Sequence, residues 1–380
     1  MRGEDTWRCP PDGWISLGIM SGTSVDGLDL ALVRFRREEG LPPENQWNFE
    51  LLKHSTEPYP ESMREQLWNV MELSAESLHR LDRQWSLWVA TEVKQWLASS
   101  NLSGPHMLAS HGHTVFHRPE EGWTYQLGCG ATLHAALGIP VVNDFRRLDM
   151  AHGGQGAPLV PMADELLFGQ WDVALNLGGF ANLSLKQPQQ GRMAWDVGPA
   201  NLLLNNLVSE VDLTMDVNGD LARSGVVIEP LLQGCKSIAY HDLDPPKSTG
   251  REWLESAVLP LFAQHGNERL EDRLATAVEY IAWCVVRDVP KHVRILVTGG
   301  GAYNGALMDA LRRQGAEQGK TFHVPTPELV DGKEAIAFAF LGLLRWLGMP
   351  NVMPSWTGAS MPSSGGSLWG EQGSLHSQGD

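Results

Sequence analysis

The chain has 380 residues, 42% hydrophobic and 19% charged, enough for one large domain or two of ordinary size. Lys and Arg number 29 against 45 Asp and Glu, and the formal net charge of −16 is spread without blocks of one sign. A nucleic-acid binder would present a basic face, so nucleic acid is not expected as a partner. No run approaches about 18 apolar residues, so no membrane span is expected. The opening MRGEDTWRCPPDGW lacks the apolar stretch of a signal peptide. Cys9, Cys129, Cys235 and Cys284 are far apart, with no CxxC or zinc spacing, and read as unpaired thiols of a cytoplasmic protein.

In chain order, residues 14–36 predict a strand, a polar turn and a second strand from Leu28 to Phe35. Residues 61–98 carry apolar residues at helical spacing and predict two helices, with Trp85, Trp88 and Trp96 as core. A strand follows at 107–117, then a strand, a helix over 131–137 and a strand at 139–142. A glycine-containing loop over 144–158 leads to a helix at 160–168. Residues 173–185 repeat the opening strand–turn–strand pattern, which suggests an internal duplication. Next come a strand ending at Asp196 with a helix after Pro199, a helix over 274–287, a buried strand at 293–298, a helix over 304–313 and a last helix over 333–347. From Pro362 the Ser/Gly-rich composition predicts a flexible tail.

Three glycine turns stand out. Gly22-Thr23-Ser24-Val25-Asp26-Gly27-Leu28-Asp29 lies between two strands: its glycines let backbone N–H groups approach a phosphate, Thr23 and Ser24 add hydroxyl donors, and Asp26 suits a cation or its waters. It is equally a hairpin rich in turn formers. Asn176-Leu177-Gly178-Gly179-Phe180-Ala181-Asn182 repeats the arrangement, and Thr298-Gly299-Gly300-Gly301-Ala302-Tyr303-Asn304 runs from strand to helix. None is a Walker A or GxGxxG loop.

Asp196 in WDVGPAN is either a base at a strand end or a helix N-cap. His111, His113 and Thr114 in HGHT, with His117 and His152, fit hydrogen bonding to a polar substrate better than a zinc site, because no carboxylate or thiol completes a ligand set. Asp144 to Asp149, with Arg146 and Arg147, offers guanidinium forks for an acidic substrate or a loop-pinning ion pair. In PPKSTGRE, Ser248 or Thr249 reads as a cap on the next helix.

Together MSGTSVDGLD, HGHTVFHRP, DFRRLDMAHGGQGAPLVP, LNLGGFANLSL, DVGPAN, PPKSTGRE, VTGGGAYN, EAIAFAF and PSWTGAS resemble the anhydro-N-acetylmuramic acid kinase family, in its order, over about residues 14 to 360. The resemblance implies an α/β, two-lobed actin/hexokinase/Hsp70-like ATPase fold, each lobe a ribonuclease-H-like five-stranded mixed sheet, with a cleft between. The expected boundaries are 1–135 for the N-terminal lobe, 136–361 for the C-terminal lobe and 362–380 for the tail. The implied activity uses ATP, Mg²⁺ and water to turn 1,6-anhydro-N-acetylmuramic acid into N-acetylmuramic acid 6-phosphate, with Asp196 as base. The first two turns become phosphate loops, with Asp26 holding Mg²⁺ through water. The Gly299-Gly300-Gly301 turn and Asn304 lie near adenosine. His111, His113, Thr114, Asp144, Arg146, Gln155 and Glu334 fall on the sugar side. A homodimer is implied as well.

Several positions depart from the family's usual DTGPGN, HGQT, QIGD and DFRRRD: Val197, Ala200, His113, Cys129 and Leu148. They predict retained ATP use and allow a shifted sugar preference, for instance toward levoglucosan. A non-catalytic nucleotide-binding module is the other reading, and Asp196 with Asp26 counts against it.

Overall fold

A computed structural model describes residues 10–22, 25, 27–42, 45–187, 191–245 and 247–370. The chain forms two compact units, Met1–Leu167 with Glu334–Asp380, and Phe168–Lys333. The first break lies some thirty residues beyond the expected 135/136, and the chain re-enters unit 1 within the helix Pro327–Trp346.

Unit 1 contains strands β1 (Trp14–Ser21), β2 (Leu28–Arg37), β3 (Trp47–Glu57), β4 (Met107–Arg118), β5 (Trp123–Leu127) and β6 (Val141–Asn143). Unit 2 contains β7 (Val173–Leu177), β8 (Phe180–Gln187), β9 (Gly191–Pro199), β10 (Arg294–Thr298) and β11 (Thr321–His323), and β12 (Ser367–Trp369) completes the set. In unit 2 the order is β11-β10-β7-β8-β9, with β7 to β9 antiparallel and β10 and β11 parallel to β7. Unit 1 repeats this as β6-β4-β1-β2-β3 with the same senses. The duplicated ribonuclease-H-like order is the actin/hexokinase/Hsp70-like fold. Unit 1 departs from five strands: β5 pairs β4, and β12 pairs β6, making seven.

Strand β12 also corrects the expectation of a tail from 362. Asn351 pins Gly365 through two hydrogen bonds of 2.7 and 2.8 Å, and Trp369 donates to Asn143 at 2.9 Å. Residues 371–380 of that expected tail lie outside the described residues.

Both sheet centres are apolar because helices cover them. β1 is buried along nearly its whole length. A Cβ at Gly18 would lie 1.9 Å from the Ala335 carbonyl oxygen, and one at Gly342 would lie 2.4 Å from the Ala109 Cβ. The small residues of EAIAFAFLG therefore let the helix backbone settle against the strand. The helix Ala75–Ala98, capped by Ser74, buries Leu81, Trp85, Val89, Val93 and Trp96 on one face. In unit 2 the helix Leu270–Asp288 plays the covering role, burying Leu274, Val278, Ile281 and Val285 against the sheet.

Strands β3 and β11 have no counterpart in the sequence reading. Each is an edge strand with mostly half-buried or exposed residues, so neither shows a clean alternation.

Candidate active site

In unit 1 the histidine segment sits on an irregular part of β4. Its pairing with β1 shifts register between Ile19 and Ser21, and with β5 between Thr114 and Phe116. Gly112 has φ +78°, and a Cβ there would meet the Leu127 carbonyl oxygen at 2.1 Å, so only glycine fits. The bulge re-aims the two flanking histidines.

His111 is buried, and burial and then Arg146 push its pKa well down. The neutral ring donates through Nδ1 to the Gly112 carbonyl at 2.9 Å, leaving Nε2 as acceptor. Arg146 donates to it through Nη2 at 2.8 Å and Nε at 3.2 Å, and to the Gly156 carbonyl through Nη1 at 2.7 Å. Burial lowers the Arg146 pKa to about 10, opposed by the Glu334 carboxylate. His113 meets the Ser21 hydroxyl at 2.9 Å, and Tyr59 donates to the same hydroxyl at 2.7 Å. Burial holds His113 down at about 4. His111, His113, Arg146 and Glu334 thus share one neighbourhood.

Other expected residues of unit 1 are placed differently. Asp144 has left-handed φ 60° and an ion pair with Arg147 at 3.4 Å, while burial raises its pKa. Thr114 is half-buried and Gln155 exposed, its N–H donating to the Thr357 carbonyl at 2.9 Å. Of the first glycine turn, Thr23, Ser24 and Asp26 lie outside the described residues. Val25 and Leu28 belong to the apolar core, and Thr56 donates to Asp29 at 2.6 Å. Gly22 is half-buried and its carbonyl accepts from Val25 at 3.2 Å; a Cβ at Gly27 would lie 2.6 Å from Thr56.

The loop residue that organises this side is Asp149. Fully buried, it accepts from Gly156 N–H at 2.8 Å and from the Thr357 hydroxyl at 2.7 Å, tying HGGQGAP to PSWTGAS. Two motifs some 200 residues apart in sequence leave no local signal of that contact.

In unit 2 two glycine turns pack on each other. A Cβ at Gly299 (φ +82°) would lie 2.4 Å from Asn176 Oδ1, and one at Gly301 would lie 2.7 Å from the Leu177 Cβ. Gly178, Gly179 and Gly300 differ: the nearest atoms to an added Cβ lie at 3.5, 3.8 and 3.5 Å, and none has positive φ. The folded chain itself does not demand glycine there. Asn182 faces Asn176 across β7 and β8. Asn304 caps the helix Gly305–Ala316, its Oδ1 accepting from Leu307 N–H at 3.0 Å, so its side-chain oxygen already serves the fold.

Asp196 lies inside β9, which runs on to Pro199 rather than ending at the aspartate. It is no N-cap; Ala200 holds that position for the helix Asn201–Val208. The β8–β9 register shifts between Ala181 and Asn182, so Val197 is the extra bulge residue beside Asp196. Oδ2 of Asp196 accepts from Ser248 Oγ at 3.1 Å and Thr249 N–H at 3.0 Å. Burial raises its pKa, and those two donors oppose the rise. Neither Ser248 nor Thr249 caps the next helix as expected: the helix Arg251–Trp253 starts at Gly250 without a side-chain cap.

Of the departures, Val197 and Ala200 bury their side chains in the unit 2 core. Cys129 starts the helix Gly130–Leu137, its N–H donating to Asp82 at 3.1 Å and Ser86 at 2.9 Å. Leu148 is 40% exposed.

The sequence profile of the family described as "Anhydro-N-acetylmuramic acid kinase" matches residues 15–371. The chain belongs to the anhydro-N-acetylmuramic acid kinase family. It is similar to the anhydro-N-acetylmuramic acid kinases of Vibrio vulnificus (strain YJ016), 36% identical with 93% of this chain and 97% of that protein covered, and of Nitrosomonas europaea, 34% identical with 93% and 99% covered. That of Vibrio parahaemolyticus is 37% identical, with 93% and 97% covered. Among solved structures, the activator of the 2-hydroxyisocaproyl-CoA dehydratase from Clostridium difficile, with bound ADPNP, aligns at TM-score 0.38 and 12% identity, covering 86% of this chain and 94% of that one. The anhydro-N-acetylmuramic acid kinase family thus accounts for the motif order along the chain.

Proposed function

We propose that this protein is an ATP-dependent sugar kinase that opens the 1,6-anhydro ring of anhydro-N-acetylmuramic acid with water and phosphorylates O6, giving N-acetylmuramic acid 6-phosphate. The observation that carries the reading is the Asp196 carboxylate: Oδ2 takes both the Ser248 and Thr249 donors, and Oδ1 accepts none from the described residues. A half-buried carboxylate held by one oxygen, its pKa raised by desolvation, suits a general base.

In this mechanism Asp196 takes a proton from water as the water oxygen bonds to C1. The C1–O6 bond breaks, and O6 keeps the electron pair. O6 then attacks the γ-phosphorus, and ADP leaves. One carboxylate serves both events because C1 and O6 share the bridge. His111, neutral and fixed by Gly112, orients Arg146, and Arg146 with Glu334 would engage polar groups of the sugar. Gly178, Gly179 and Gly300, free of internal steric demand, would admit phosphate or nucleotide close to the backbone. Mg²⁺ would neutralise phosphate charge, and Asp26 would hold it through water. Among the described residues no cluster of three or more His, Cys, Asp or Glu is arranged for direct metal binding.

Cytoplasmic residence is supported by the free thiols of Cys129, Cys235 and Cys284, and no described helix is long and apolar enough to cross a membrane. Family membership supports a homodimer.

The test is Asp196→Asn, assayed with ATP and a panel of anhydro sugars. Turnover of the muramic compound should fall about 10³-fold with ATP binding retained. Undiminished turnover would remove Asp196 as base, and wild-type preference for levoglucosan would replace the substrate.

A further inference from the structure

The segment 247–249 wraps Asp196 on two sides. Lys247 accepts the Asp196 N–H through its carbonyl at 3.0 Å, while Ser248 and Thr249 donate to Oδ2. The Lys247 side chain turns inward: its side chain is 4% exposed, and Nζ lies 3.0 Å from Oδ2 of Asp288, itself 9% exposed. That same Asp288 oxygen accepts from Trp195 Nε1 at 3.0 Å, and Oδ1 meets Arg287 at 3.2 Å. The ammonium also stands 5.1 Å from the Tyr240 ring, and the Tyr240 hydroxyl donates to the Asp196 carbonyl at 2.7 Å.

These contacts close a ring. Trp195 and Asp196 are chain neighbours on β9; Trp195 is tied to Asp288, Asp288 to Lys247, and Lys247 with its two successors back to Asp196. A buried ion pair adds little stability over apolar residues of equal volume, yet it holds its partners in one geometry. Here that geometry is transmitted to the carboxylate.

We propose that the buried Lys247–Asp288 pair is a brace that positions Asp196, with Ser248 and Thr249 as the positioning donors that fix one carboxylate oxygen and leave the other to the reaction. This rests on Asp196 being the base. The role assigned to each of the four is exerted through Asp196. The other ionisable groups facing this network are Arg287 on Asp288, Asp242 beside His241, Cys284 and Tyr240, both of which burial raises, and His241, which burial holds down at about 4.

The experiment compares Ser248→Ala, Ser248→Thr and the double variant Lys247→Met/Asp288→Leu with wild type, reading kcat, ATP KM, melting temperature and the pH profile. Ser248→Ala removes a donor to the charged carboxylate, so the acid limb of kcat should move up by about one pH unit and kcat at neutral pH should fall about tenfold. Ser248→Thr should restore both. The double variant removes both charges and keeps apolar bulk; it should stay folded, keep its ATP KM and lose at least about tenfold in kcat. A uniform loss in Ser248→Ala without a shifted limb, no loss at all, or a double variant with wild-type kcat would overturn the brace. If Asp196→Asn kept turnover, the base assignment and the brace would fall together; if Asp196→Asn is dead while Ser248→Ala leaves the limb in place, only the brace falls.

Discussion

Arg146 spends two of its donors on one acceptor, Nε2 of His111, at 2.8 and 3.2 Å. The histidine can accept only because its other nitrogen donates to Gly112. A guanidinium is thereby oriented by a neutral ring, with the Glu334 carboxylate near enough to favour its charged form.

His111→Ala should therefore strand the Arg146 donors. We expect a loss of about 1–3 kcal/mol in stability, read as a lower melting temperature, and a KM for the anhydro sugar that rises more than kcat falls. An unchanged sugar KM would separate Arg146 from substrate binding.

Asp149→Ala removes the acceptor shared by Gly156 and Thr357. Leaving these buried donors unmet should cost about 3 kcal/mol, measured by thermal unfolding, and expose residues 153–157 to faster amide exchange. Protection equal to wild type would show that the loop is held by other contacts.

The glycine turns divide by cause. Gly299→Ala forces a Cβ to within 2.4 Å of Asn176 at positive φ, so melting temperature should fall. Gly178→Ala meets nothing nearer than 3.5 Å and should fold normally, yet weaken ATP binding at least about tenfold by calorimetry. Wild-type ATP affinity in Gly178→Ala would remove that turn from the nucleotide site.

His113 is held down at about 4 by burial, against 6.5 for the free side chain. The unfolded chain binds the extra proton as pH drops through 6.5, while the folded chain resists it until about 4. Stability therefore falls with decreasing pH across that window, by up to about 3 kcal/mol from this residue. His111 and His241 act in the same direction. His113→Gln should flatten the dependence of melting temperature between pH 6.5 and 4.5; an unaltered slope would assign the acid sensitivity to the other depressed histidines, His106, His111, His117 and His241.

Much of the fold was legible because periodicity is local. The strand–turn–strand of 14–35, its repeat at 173–185 and the Trp-bearing helix Ala75–Ala98 follow from apolar spacing alone. Edge strands β3 and β11 were illegible, since half-exposed strands have no clean alternation, and β12 was hidden under a Ser/Gly-rich composition typical of tails. Asp196 stands out in the sequence through its motif, but nothing local to PPKSTGRE signals that Ser248 and Thr249 donate to it, because that contact exists only where the loop folds back on β9.

The amino-acid order alone determined the duplicated strand pattern, which depends on spacing along the chain, and carried the motifs by which the chain resembles its family. Only the tertiary structure decided which side chains are already occupied: Asn304 as a cap, Val25 and Leu28 as core, Lys247 paired with Asp288. Those contacts join residues tens to hundreds of positions apart, and a buried polar group's partner is set by the packing that brings it there, not by its neighbours in sequence.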